Sequence, residues 1–64
     1  MTSVIVEEGD ILDPGQLMVF KDFGSTIRMA YNPRRLTEGQ ALTLLRASIP
    51  RLSGMHQVTH PAGA

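Results

Sequence analysis

Between Leu17 and Tyr31 the chain reads LMVFKDFGSTIRMAY, and the pair Gly24-Ser25 divides two apolar runs of strand length. A two-residue loop with glycine first suits a type II′ hairpin turn, because Gly24 tolerates the positive φ that such a turn requires. In that register Phe23 faces Thr26, Asp22 faces Ile27, Phe20 faces Met29 and Met18 faces Tyr31. A four-residue loop, Asp22 to Ser25, shifts the pairing by an even step and keeps the same side chains on the same face. A three-residue loop would set Phe20 against Arg28 and mix the faces, which excludes it. The ribbon therefore presents Met18, Phe20, Ile27, Met29 and Tyr31 on one face, the expected core. Its other face carries Leu17, Val19, Lys21, Arg28 and Ala30, with Phe23 at the end. Both faces are apolar enough to need cover.

The flanking segments supply one further strand and one helix. Thr2 to Glu7 is short and β-branched, as strands are. Asp13-Pro14-Gly15 reads as a type II turn, with Pro at the position of fixed φ and Gly at the one of positive φ. After the hairpin, Asn32-Pro33 ends the strand, since proline offers no ladder donor. Thr37 and Gln40 have the spacing of a capping box, and Leu36 and Ala41 hold the staple positions. Ala41, Leu42, Leu44, Leu45 and Ile49 fall on one side of the helix that follows. Pro50 stops it, because the residue before a proline avoids the α region. Arg51 to Gly54 adds a turn, and residues 55–64 lack periodicity and read as a flexible tail. The expected fold is α+β: a three-stranded antiparallel meander with one C-terminal helix on one face, in a single domain over residues 1–54.

Sixty-four residues give such a domain little stability of its own. Chains below roughly 70–80 residues usually add disulfides, a metal or self-association. Cysteine is absent, which excludes disulfides and thiolate chemistry and fits a reducing compartment. The longest apolar runs fall far short of the ~20 residues of a membrane helix. The acidic first twenty residues do not resemble a secretory signal, so a cytoplasmic location is expected. With one helix available as a lid, the second sheet face calls for a companion. The reading is a non-enzymatic interaction or regulatory module that pairs with itself as a homodimer, or with another protein, through Leu17, Val19, Lys21, Arg28 and Ala30.

Charge supplies the alternative. Residues 1–32 hold five acids against Lys21 and Arg28, and residues 33–64 hold four arginines against Glu38, so the halves carry −3 and +3. A nucleic-acid contact through Arg28, Arg34, Arg35, Arg46 and Arg51 is the second reading. It is a thin footprint beside the roughly 6–10 phosphates that such surfaces neutralise. No aromatic ladder accompanies these arginines for base stacking.

Catalytic and metal chemistry find little support. Glu7, Glu8, Asp10 and Asp13 gather near a turn without the spacing of a calcium loop. His56 and His60 stand four apart, the interval that aligns two imidazoles on a helix, but in a Gly/Pro-flanked tail with no third ligand nearby. No serine sits in a nucleophile elbow, and a chain this short hardly encloses a dry pocket. No enzyme activity and no cofactor are expected. Gln16-Leu17-Met18-Val19-Phe20 resembles the pentapeptide by which bacterial proteins dock on the replicative sliding clamp. Met18 departs from that pattern, where a small polar or acidic residue is preferred. Such peptides bind from flexible segments, whereas these five residues belong to the predicted hairpin.

Overall fold

The computed structural model describes residues 2–54 and 56–60. The order of elements is β1 (Thr2–Glu7), a 3₁₀ turn (Gly9–Ile11), β2 (Met18–Asp22), β3 (Thr26–Tyr31), α1 (Glu38–Ser48), a second 3₁₀ turn (Pro50–Ser53) and β4 (His56–Thr59). The class is α+β. The four strands form one mixed sheet in the order β2-β3-β1-β4.

The hairpin takes the two-residue register. Phe23 N–H donates to Thr26 O at 2.8 Å, and Phe20 pairs with Met29 and Met18 with Tyr31. Gly24 has φ of 89°, so an L side chain there would be strained. The other proposed turn differs. Gln16 N–H donates to Asp13 O at 2.9 Å, but Gly15 does not take positive φ, so the turn is not type II.

The three-stranded antiparallel meander is corrected in two ways. β1 lies inside the sheet and runs parallel to β3 on one side and to β4 on the other. Parallel neighbours need a long connection. Residues 8–25 provide one by passing through β2, and α1 provides the other by carrying the chain across β1 to β4. The second correction concerns the tail expected over residues 55–64: His56–Thr59 is the fourth strand, while residues 55 and 61–64 lie outside the described residues. The β-branched residues of β1 suit a strand, and its Val4 and Val6 lie buried on the face that the helix covers.

α1 forms where the local signals place it. Gln40 N–H donates to Thr37 Oγ1 at 3.2 Å, and Thr37 N–H donates to Gln40 Oε1 at 2.9 Å, which completes the capping box. Its buried residues Ala41 and Leu45, with Ile49 and Leu52 beyond, pack on Val4 and Val6 of β1 and Ile27 and Met29 of β3. Val58 of β4 joins from the side. Every fully buried sheet residue of this cluster comes from β1 or β3. Phe20, expected in the core, is 42% exposed because β2 is an edge strand, at the end of the sheet opposite β4.

Candidate functional site: the free edge of strand β2

β2 pairs only with β3, so one side of its backbone is open. In antiparallel pairs the hydrogen-bonded positions alternate with non-bonded ones. The bonds from Asn32 N–H to Leu17 O (2.7 Å) and from Phe23 N–H to Thr26 O (2.8 Å) set that alternation. Leu17, Val19, Lys21 and Phe23 therefore direct their peptide groups to β3, and Met18, Phe20 and Asp22 direct theirs outward.

The side chains along this edge are unusually apolar for solvent. Ile11 is 67% exposed, Phe23 55% and Leu17 44%. With Phe20 they make four of the five large hydrophobic side chains that stand exposed among the described residues. Beside the edge runs a groove of about 390 Å³ lined by Ile11, Val19, Lys21, Phe23, Arg28 and Ala30, with Glu7, Phe20 and Met29 completing the wall.

The first 3₁₀ turn contributes Ile11 to the groove and packs its Gly9 against β3. Gly9 approaches β3 so closely that a Cβ there would stand 2.1 Å from Tyr31 O. Glycine is required at Gly9 by this approach and not by its φ. Ala30, which the sequence places on an open face, is buried by the chain itself and forms only the groove floor. Val19 is half-buried, and Leu17, Lys21 and Arg28 are exposed. The groove thus gathers Val19, Lys21, Arg28 and Ala30, while Leu17 lies outside it at the start of β2.

Lys21 and Arg28 face each other across the hairpin, an arrangement of like charges that destabilises a sheet unless it is offset. Two contacts offset it. Arg28 pairs with Glu7 from β1, and the Lys21 ammonium stands 5.5 Å from the centroid of the Phe23 ring. The groove therefore holds no isolated carboxylate.

Asn32 supports the entry to the edge strand. Its side-chain amide donates to Pro14 O at 3.3 Å and to Gln16 O at 3.2 Å, and its Oδ1 accepts from Arg34 N–H at 3.0 Å. One residue so joins the loop before β2 to the turn after β3. The sequence shows Asn32 only as a turn former, and Gly9 and Ile11 only as parts of a loop. No local pattern reveals their distant partners.

The arginines do not gather into one free basic surface. Arg28 holds Glu7, and Arg51 holds Asp22. Arg34 and Arg35 sit in the turn that follows β3, and Arg46 lies in the last turn of α1. His56 opens β4 and His60 follows it, so they do not share a helix face; His60 Nε2 lies 2.6 Å from Glu38 Oε1 instead. No cluster of three or more metal-ligating side chains occurs among the described residues. Nor is any helix among them long and apolar enough to cross a membrane. Comparison with known proteins finds no matching family model, no matching curated protein and no matching solved structure.

Proposed function

We propose that the protein is a non-enzymatic interaction module that works as a homodimer, joined at the β2 edge and the groove beside it. One observation carries this reading: of the two edge strands, β2 and β4, it is β2 that has Ile11, Leu17, Phe20 and Phe23 exposed on or next to it. An open strand edge is a template for another strand, with main-chain hydrogen bonds supplying affinity and alternate side chains supplying specificity. Lys21 is the kind of charged edge residue that limits indiscriminate pairing. A nucleic-acid surface has less support, because Arg28 and Arg51 are already engaged by carboxylates.

The test is light scattering or sedimentation from micromolar to millimolar protein, with amide shifts followed over the same range. A mass that rises toward the dimer, with shifts concentrated at Met18 to Phe23, is expected. A monomer throughout, with those amides indifferent to concentration, overturns the reading.

A further inference from the structure

We infer that the two copies meet as antiparallel β2 strands about a two-fold axis at Phe20, continuing both sheets into one of eight strands. This inference rests on the proposed self-association and specifies its register. A two-fold contact is isologous, so residue i must suit residue j and j must suit i. The edge meets that condition at one position. Leu17 and Phe23, both exposed, stand three residues to either side of Phe20, also exposed. A dyad at Phe20 sets Phe20 against its own copy and Leu17 against Phe23 of the second copy, twice over. The backbone agrees, because Met18, Phe20 and Asp22 have their peptide groups pointing out and would form the hydrogen-bonded pairs of the new ladder.

The neighbouring registers fit less well. A dyad at Lys21 places two ammonium groups directly opposite and Phe20 against Asp22, and like charges in that position destabilise a sheet. A dyad at Val19 sets Leu17 against Lys21 and leaves Phe23 opposite Gly15, so its ring stays uncovered. In the Phe20 register Lys21 lies opposite Val19 of the second copy, where its methylene stem covers the valine and its ammonium reaches water. Asp22 comes opposite Met18 with its carboxylate already held by Arg51, so no unpaired anion enters the contact.

The area defines the kind of dimer. Covering the exposed portions of Phe20 and Phe23 removes roughly 200 Å² of mostly apolar surface from each copy. Leu17 and the strand backbone add to this, but the total stays in the class below about 1,200 Å² that marks weak, transient contacts. A dimer that exchanges with monomer as concentration changes is expected.

Because the chain has no cysteine, single cysteines report the register directly. Phe20→Cys, Val19→Cys and Lys21→Cys are each oxidised under mild conditions at high concentration. A dyad at Phe20 brings the two Cα atoms of residue 20 to about 5.5 Å, within disulfide range. It leaves the paired 19 and paired 21 positions about 7–8 Å apart. Phe20→Cys should cross-link at least tenfold faster than the other two. Faster cross-linking of Val19→Cys or Lys21→Cys overturns the register. Since Phe20→Cys itself trims the contact, the unmodified protein provides a second reading. In a mixed sample of labelled and unlabelled chains, an intermolecular Hα–Hα contact between Val19 and Lys21 is expected. A dimer by light scattering that lacks this contact overturns the register and leaves self-association standing; a monomer at every concentration removes both.

Discussion

Arg51 grips Asp22 through two parallel hydrogen bonds, Nη1 to Oδ2 at 2.8 Å and Nη2 to Oδ1 at 2.6 Å. The same Nη2 donates to Gly24 O at 2.8 Å, and Gly24 N–H donates to Asp22 Oδ1 at 2.8 Å. The second 3₁₀ turn thereby straps the β2–β3 turn from 27 to 29 positions along the chain. The hydrogen bond from Arg51, helped by that from Gly24, lowers the Asp22 pKa from 3.8 to about 2. A carboxyl whose pKa is lower folded than unfolded stabilises the fold above its unfolded pKa and loses that contribution as pH falls through the folded value. The strap should therefore act fully above about pH 4 and fade toward about pH 2. Asp22→Asn should lower the thermal midpoint at neutral pH and flatten its fall in this window. An unchanged acid slope in the variant would argue against the strap. Added salt should narrow the difference between parent and variant, since the pair is solvent-exposed.

Gly9→Ala tests the close approach of the first 3₁₀ turn to β3. The new methyl would meet the Tyr31 carbonyl, a backbone atom that has no rotamer with which to yield. The turn should lift, at a cost of about 1–3 kcal/mol. A lower urea midpoint with amide shifts at Ala30 and Tyr31 is the expected result; a midpoint equal to the parent's would show that the loop adjusts freely.

Asn32→Ala removes both amide donations to the Pro14–Gln16 loop and the acceptor for Arg34 N–H. A loss of about 1–2 kcal/mol is expected from bonds of this kind in a partly exposed site. Faster hydrogen exchange at Gln16 to Val19 should accompany it, because that loop sets the start of β2. Exchange that rises evenly across the protein would assign Asn32 a general role instead.

Lysine substitutions separate the edge from the core. Leu45→Lys should unfold the domain, since an unpaired ammonium in the buried cluster costs several kcal/mol. Phe20→Lys and Val19→Lys should keep the helical circular dichroism and the melting transition near the parent's while abolishing self-association. The Phe20 outcome follows from its edge position; a side chain truly in the core would behave like Leu45. Loss of fold in Phe20→Lys would mean that this ring stabilises the monomer.

Features legible in the sequence were those settled over a few residues. Gly24-Ser25 specified a hairpin between β2 and β3 and the face of each side chain, while the structure chose the two-residue loop over the four-residue one. Thr37 and Gln40 specified the start of α1, and Pro50 its end. β4 was not legible: Gln57-Val58-Thr59 offers one large apolar residue, too little for a periodic signal, and its ladder comes from pairing with β1. Phe20 was misplaced for a related reason. Alternation assigns a side chain to a face, but not to the centre or margin of a sheet.

The amino-acid order by itself determined the α+β class, the presence of the hairpin, the helix with its caps and the alternating faces, because each depends on turn residues and periodicity close together in the chain; the choice between the two-residue and four-residue hairpin loops was left to the structure. Tertiary structure alone decided that β1 runs parallel at the centre, that β4 completes the sheet, that Gly9 packs against the Tyr31 carbonyl, that Ala30 is buried and that β2 is left at the margin. Those outcomes depend on hydrogen bonds and packing between residues far apart in the chain, and no local pattern encodes which distant partner wins.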